Sequence, residues 1–228
     1  MQAAAHALLV VAIVSLTAAG RQGLDDPALR AAVERFFAMQ QAEDVDGYLS
    51  LWSATVRRPD PGQLKYVFDA GDDTFSDVSI IKTFPEANRV RVRVSATRDR
   101  VTPSRGPGRP PFTSHSTTTW SLVYVREGGE WRLVREGAAV DGLADSLIDE
   151  PSPEAREQLL LAEPELVTPE LVAALSRRAG QSAQMQMYAA AQVGFERMRE
   201  VARRLGHAKL EGEALQNLAN ALYFQRKM

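Results

Sequence analysis

The chain has 228 residues, a length that accommodates one large domain or two small ones. Its formal net charge of -2 provides no overall positive field for nucleic acid or an anionic membrane surface, so we expect no nucleic-acid partner. Cysteine is absent, which excludes disulfides, thiolate nucleophiles and cysteine-ligated zinc. With only His6, His115 and His207 as imidazoles, we expect neither a metal nor a cofactor.

The first twenty residues have the pattern of a signal peptide. Ala7–Leu16 is an uncharged apolar run, and the small residues Thr17, Ala18 and Ala19 follow it as a cleavage pattern. The run is shorter than the roughly 20 apolar residues that span a bilayer. We therefore predict a signal peptide over residues 1–20, no stable membrane span, and a protein exported to the periplasm or the cell exterior. An uncleaved anchor or a buried helix is the alternative.

Short helices are predicted next. Asp26 and Pro27 open the first one, because Asp accepts hydrogen bonds from free amides and Pro fits the first helical turn. A second helix begins near Asp44 or Asp46, and a third lies near residues 64–68.

From Phe75 the apolar period changes to two, which predicts an antiparallel sheet with one buried face. The predicted strands include residues 75–80, 90–94, 113–125 and 131–140. Arg89, Arg91 and Arg93 alternate with valines in the second strand and are expected on a solvated face. Residues 103–111 contain four prolines and two glycines, so we expect a flexible loop there.

The carboxy-terminal part is predicted to be helical. Residues 150–168 are interpreted as a linker with a short helix, opened by Ser152 and Pro153. A longer helix carries an apolar stripe from Tyr188 to Leu205. A last helix, from about residue 208, is expected to bury three leucines. They are Leu215, Leu218 and Leu222.

The helices and sheet of residues 25–149 resemble the nuclear transport factor 2-like (SnoaL-like) cone. The resemblance rests on the helix junction Gln41–Tyr48 and on the terminal hairpin Gly128–Val134. It implies an α+β fold, in which a cone-shaped antiparallel sheet packs on amino-terminal helices. Some members of this superfamily are isomerases or dehydratases that place an acid or base with a Tyr or His inside the cone.

Residues 169–228 resemble a tetratricopeptide repeat segment. Ala214–Tyr223 is similar to the first helix of a repeat, and Ala191, Phe195 and Met198 are similar to the second helix of the preceding repeat. The pattern stops in mid-repeat. The resemblance implies a protein partner or self-association, with Leu215, Leu218 and Leu222 as contact candidates.

Candidate site residues fall into two groups. The candidates for catalysis are Asp44, Asp46, Tyr48 and His115, and the candidates for lining a ligand pocket are Trp52, Tyr66, Trp120 and Tyr124. A structural interpretation is favoured for the first group, because Asp at a helix start is usually a cap. No carboxylate near His115 in the sequence marks it as half of a dyad.

We interpret the chain as an exported, non-catalytic binding or scaffold protein. Its cone would bind a small apolar ligand or dimerise, and its helical tail would contact another protein. One alternative is a cone-superfamily enzyme, an isomerase, dehydratase or hydrolase, that uses an Asp/Tyr/His pocket. The other is the front part of a longer repeat protein whose activity lies downstream.

Overall fold

The computed structural model describes residues 26–86, 88–104 and 110–226. The chain divides between Gly137 and Ala138 into two compact units, which we call the sheet unit (residues 1–137) and the helical unit (residues 138–228). The predicted signal peptide lies outside the described residues, as does the centre of the proline-rich loop. Within the described ranges, no helix is long and apolar enough to cross a membrane.

Three helices begin the described part of the sheet unit, and each is opened by an aspartate. They are α1 (Pro27–Gln41), α2 (Val45–Ser50) and α3 (Pro61–Asp69). The Asp26 carboxylate accepts hydrogen bonds from the amides of Ala28 and Leu29, at 2.9 and 3.2 Å. Asp44 accepts one from the Gly47 amide at 2.9 Å. The predicted starts of α1 and α2 are therefore confirmed, since each aspartate satisfies amides that the helix leaves free.

A four-stranded antiparallel sheet follows in the order β1-β2-β3-β4. The strands are β1 (Asp72–Glu86), β2 (Arg89–Thr102), β3 (Phe112–Glu127) and β4 (Glu130–Ala138). β3 and β4 are joined by Gly128 and Gly129, whose φ angles of 59° and 88° lie in the left-handed region that glycine tolerates. The α+β class and the antiparallel sheet are thus confirmed.

The core of the sheet unit lies between α1 and one face of the sheet. Val90, Val92 and Val94 of β2 are buried there, as the alternating pattern predicts. They pair in register with Tyr124, Leu122 and Trp120 of β3, so the two strands present a continuous apolar surface to the helix. The helix α1 contributes four large side chains to this core: Leu29, Val33, Phe36 and Phe37.

The other face of β2 differs from the expected solvated arginine surface. Arg91 is buried, and its guanidinium carbon lies 3.9 Å from the ring centroid of Phe84, its neighbour on β1. The weak hydration of a guanidinium and its attraction to an aromatic face permit this burial. On the valine face of β2, towards the end of the strand, Arg98 binds Asp73 through two hydrogen bonds of 2.7 and 2.6 Å.

The β4 edge of the sheet is extended by the segment that follows α2. Trp52 forms an isolated parallel bridge with Leu133. The Ser53 amide donates to the Leu133 carbonyl at 2.7 Å, and the Leu133 amide donates to the Leu51 carbonyl at 2.8 Å. The Ser53 hydroxyl also donates to the Glu127 carboxylate. These bonds fix the end of α2 beside β4.

The helical unit contains five α-helices and one 3₁₀ turn among its described residues. They are α4 (Ala139–Asp149), α5 (Pro153–Ala162), the turn Pro164–Leu166, α6 (Pro169–Gln184), α7 (Tyr188–Arg204) and α8 (Ala208–Gln225). The short helix predicted at Ser152 and Pro153 is α5, whereas the division after Gly137 differs from the predicted boundary after Asp149. The reason is apolar burial: Leu143 and Leu147 of α4 and Leu160 of α5 belong to the core of the helical unit.

The α6–α7 and α7–α8 pairs are hairpins joined by short turns. α6 and α7 approach closely at Gly194, where an added methyl group would lie 2.7 Å from the Ala179 Cβ. α8 packs on the same core through Ala214 and Ala221. Small residues therefore set the spacing of these three helices, and that spacing shapes the groove described below.

Candidate binding sites

A hydrogen-bonded Tyr–Glu pair lies in the sheet unit. Tyr48 of α2 is buried, and its hydroxyl donates to the carboxylate of Glu136 on β4. The bridge between Trp52 and Leu133 fixes α2 beside β4 and so brings the two side chains together. The Tyr48 ring lies 5.8 to 6.4 Å, between centroids, from three other rings. They are the rings of Phe36, Trp52 and Phe68.

This environment disfavours negative charge. Burial raises the pKa of the Glu136 carboxyl above its ordinary range, and the hydrogen bond from Tyr48 offsets this only in part. Burial, together with the charge of Glu136, also raises the pKa values of the Tyr48 and Tyr124 hydroxyls. Both tyrosines therefore remain protonated donors at neutral pH. Such a pair can bind a hydroxyl or carbonyl group, or exchange a proton with it.

Three of the four predicted pocket residues lie in the core of the sheet unit. Trp52 and Tyr124 share the aromatic interior with Tyr48, while Trp120 packs against Phe37 and Phe75. Tyr66 differs from these three, because it is 77% exposed and lies outside the core. On α3 only Phe68 is buried, so the helix turns Tyr66 away from the core.

The aspartates nominated for catalysis are not part of this centre. Asp44 is the N-cap of α2, and Asp46 lies exposed in the first turn of the same helix. Both positions match the structural use of aspartate at a helix start.

His115 has a carboxylate partner that no sequence spacing indicates. Its Nδ1 lies 2.6 Å from Oδ1 of Asp99, which is directly opposite on β2. The two residues are distant in the sequence, so only strand pairing brings them together. Both side chains are exposed, and Asp99 lies on the opposite face of β2 from Val94. The pair is therefore separate from the Tyr48–Glu136 centre.

Glu136 was not predicted from the sequence. Strict alternation from the buried Leu133 would place Glu136 on the other face of β4, so strand periodicity did not single it out. The sequence shows only that Glu136 is a carboxylate near the end of a predicted strand. Its partner, Tyr48, lies 88 residues away in the chain, so no local pattern links the two.

An apolar groove of about 300 Å³ lies in the helical unit. It is lined by Ala183, Gln184, Tyr188, Phe195, Asn217, Asn220, Ala221 and Phe224. The rings of Tyr188 and Phe224 stack with centroids 5.7 Å apart and planes inclined by 20°. Phe224 is nevertheless exposed at the surface, as is the adjacent Tyr223. Among the described residues that line the groove, none is charged.

The three predicted contact leucines of α8 do not share one environment. Leu218 packs partly against the core, whereas Leu215 and Leu222 are exposed. α8 therefore does not bury all three within its own unit, and Leu215 and Leu222 stay predicted contact residues. Ala214 and Ala221 take the buried positions, because their small side chains let α8 approach the core closely.

The sheet unit also has an open groove of about 370 Å³ between α1 and β1. Phe37, Phe75 and Val78 supply its apolar surface, and Gln41 accepts a hydrogen bond from the Phe75 amide at 3.0 Å. Within the described ranges, no group of three or more His, Asp or Glu side chains is arranged to hold a metal ion.

Comparison with known proteins finds matches among solved structures only. No protein-family model and no curated protein sequence matches this chain. One match is a candidate calcium/calmodulin-dependent protein kinase type II association domain from Thiobacillus denitrificans, which is 19% identical to this chain. The match covers 48% of this chain and 91% of that domain, with a TM-score of 0.35. A candidate dehydratase of the NTF2-like family from Streptomyces avermitilis is 12% identical. The match covers 47% of this chain and 90% of the dehydratase, with a TM-score of 0.37.

A candidate polyketide cyclase from a Silicibacter species is 16% identical. The match covers 48% of this chain and 87% of the cyclase, with a TM-score of 0.34. Each of these three matches covers about half of this chain.

Proposed function

We propose that this chain is an exported, non-catalytic binding protein whose helical unit holds an extended segment of a partner protein. The observation that carries this proposal is the groove beside the stacked rings of Tyr188 and Phe224. Exposed aromatic surface of this kind is costly to leave in water, and aromatic side chains are enriched where proteins bind one another.

The chemistry of the groove favours an uncharged, extended segment with an apolar anchor. Gln184, Asn217 and Asn220 each offer an amide donor and an amide acceptor, which match the N–H and C=O groups of an extended backbone. The neighbouring rings of Tyr188 and Phe224 would receive an apolar side chain of the segment. Since no charged residue is among the described lining, a charged segment would lose hydration without gaining a counter-ion.

The tetratricopeptide interpretation of α6–α8 remains part of the proposal. Two successive helical hairpins with small residues at their contacts, such as Ala179 and Gly194, are compatible with it. Leu215 and Leu222 add a second exposed apolar stripe on α8, which a partner or a further repeat would cover. Export is proposed on the apolar run Ala7–Leu16 alone.

Selection from a random-peptide display library tests this function. We expect the selected peptides to be uncharged around one aromatic or large aliphatic residue. Phe224→Ala and Tyr188→Ala should each weaken binding of a selected peptide by at least about tenfold, the loss typical of an aromatic anchor. Tyr66→Ala is the control, since it removes an exposed ring that lies in the sheet unit and outside the groove.

Circular dichroism of each variant separates a lost contact from a lost fold. Selection of no peptide, or undiminished binding by the folded Phe224→Ala and Tyr188→Ala variants, would refute the proposal.

A second candidate function places a small-ligand site, or an active site of the cone-superfamily type, in the sheet unit. The observation that favours it is the Tyr48–Glu136 pair among aromatic rings. A carboxyl whose pKa is raised by burial is suited to donate a hydrogen bond or a proton at a pH where ordinary carboxyls are ionised.

The test is a small-molecule screen by thermal shift, repeated with Glu136→Gln and Tyr48→Phe. A ligand that stabilises the native chain but neither variant would support the sheet-unit site. A ligand that stabilises all three equally would place its binding elsewhere, and turnover of a ligand only when Glu136 is present would identify an enzyme.

A further inference from the structure

The turn between α6 and α7 carries two exposed methionines, Met185 and Met187. Their side chains are 71% and 54% exposed, whereas Met198 of α7 is 2% exposed in the core. Exposed thioethers are the methionines that oxidants reach first.

The backbone of this turn is held without help from the two thioethers. The Met185 amide donates to the Gln181 carbonyl at 3.1 Å, and the Met187 amide donates to the Ser182 carbonyl at 2.9 Å. Between them, Gln186 has a φ angle of 61°. A fixed turn therefore presents two large apolar side chains to solvent, where they add little to the packing of the unit.

The same turn borders the groove of the helical unit. Gln184, which precedes Met185, and Tyr188, which follows Met187, both line that groove. Since the turn is only three residues long, Met185 and Met187 lie between two lining residues in the chain, although neither is itself among the lining residues. Methionine is an adaptable apolar side chain that is common on surfaces which bind varied peptides.

We propose that Met185 and Met187 form a paired oxidation site that sets the affinity of the groove, a regulation that rests on the proposed peptide-binding function. The oxidant is a peroxide. A sulfur lone pair attacks one peroxide oxygen, the O–O bond breaks, and a sulfoxide and water form from thioether and hydrogen peroxide. The sulfur loses two electrons and the peroxide gains them, so no other reactant is needed.

Oxidation would change the exposed surface next to Gln184 and Tyr188 from apolar to polar. A sulfoxide carries a strong dipole and retains water that a bound apolar side chain would have to displace. A contact between a methionine sulfur and an aromatic anchor of the bound peptide would also be lost, which corresponds to a weakening of between about twofold and tenfold in the dissociation constant.

Peptide mapping by mass spectrometry after graded hydrogen peroxide treatment tests the site itself. We expect sulfoxide to form at Met185 and Met187 at least about tenfold faster than at Met198, which is the internal control. Equal rates at the three residues would overturn the proposal, whatever the groove binds.

Binding of a display-selected peptide before and after oxidation tests the regulation. We expect weaker binding by the oxidised native chain and no change for the peroxide-treated double variant Met185→Leu/Met187→Leu, which keeps two apolar side chains. Unchanged affinity of the oxidised native chain would overturn regulation while leaving peptide binding intact.

If no peptide is selected, the proposed function has failed, and anilinonaphthalene sulfonate replaces the peptide as the probe of the groove. Its fluorescence should then fall on oxidation of the native chain only. A fluorescence that does not change would overturn the inference.

Discussion

The close approach of α6 and α7 at Gly194 makes a direct prediction about stability. Gly194→Ala would introduce a methyl group 2.7 Å from the Ala179 Cβ and 3.2 Å from the Ala179 Cα. Carbon atoms in favourable contact are separated by about 3.5–4.0 Å, so the two helices would have to move apart by about 1 Å. Overpacking of this kind costs about 1–3 kcal/mol.

The same substitution also has a favourable effect, since Ala is a better helix former than Gly by about 1 kcal/mol. Gly212→Ala isolates this effect, because nothing lies within 4 Å of the added methyl group in α8. We expect Gly212→Ala to stabilise the chain by about 1 kcal/mol. Gly194→Ala should be between about neutral and 2 kcal/mol less stable than the native chain.

Urea unfolding followed by circular dichroism measures both variants, with one transition fitted for each unit if two are seen. The double variant Ala179→Gly/Gly194→Ala moves the methyl group to the other helix and should recover part of the loss. If Gly194→Ala stabilises the chain as much as Gly212→Ala, then α6 and α7 are not in contact at this point, and the reasoning about the groove's shape is refuted.

Three further predictions concern the sheet unit. Burial alone would raise the pKa of Asp26, but hydrogen bonds from the Leu29 and Ala28 amides, Trp131 and Arg126 hold it below 3.8. The contribution of Asp26 to stability should therefore be present above pH 3.8 and lost as the pH falls through the lowered pKa. Asp26→Ala should lower the free energy of unfolding in urea at neutral pH by about 1–2 kcal/mol. Glu136 has the opposite sign: its raised pKa means that the free energy of unfolding falls as the pH rises above 4.5, and Glu136→Gln should flatten that slope. An equal slope in the variant would show that Glu136 is not buried. The exposed His115–Asp99 pair should have a coupling energy below about 1 kcal/mol in a double-mutant cycle, and a larger value would mean that the pair is shielded from solvent.

Local patterns were enough to predict most of the secondary structure. Asp26 followed by Pro27, and Asp44 three residues before Gly47, carry their capping chemistry in the sequence itself, and both helices begin there. The alternation at Val90, Val92 and Val94 likewise predicts which face of β2 is buried. These features depend on neighbours within a few residues, so they can be read without knowing the fold.

The domain boundary and the buried face of α8 depend on packing between elements. α4 follows a strand directly, and its apolar residues can be buried against either neighbour. Which of them buries Leu143 and Leu147 is a question of packing, not of periodicity. In α8, leucines and alanines both recur at helical spacing. The alanines are buried because the partner helix is close, and the sequence does not contain that distance.

The candidate sites divide in the same way. Composition by itself excluded disulfides and cysteine-ligated metals, and the sequence by itself marked Tyr48, Trp52 and Tyr124 as aromatic residues of interest. Only the tertiary structure paired Tyr48 with Glu136, placed Asp99 beside His115 and stacked Tyr188 on Phe224. Each of these contacts joins residues at least 16 positions apart, and a sequence period describes one helix or strand at a time. Chemistry that arises where two elements meet is decided by their packing.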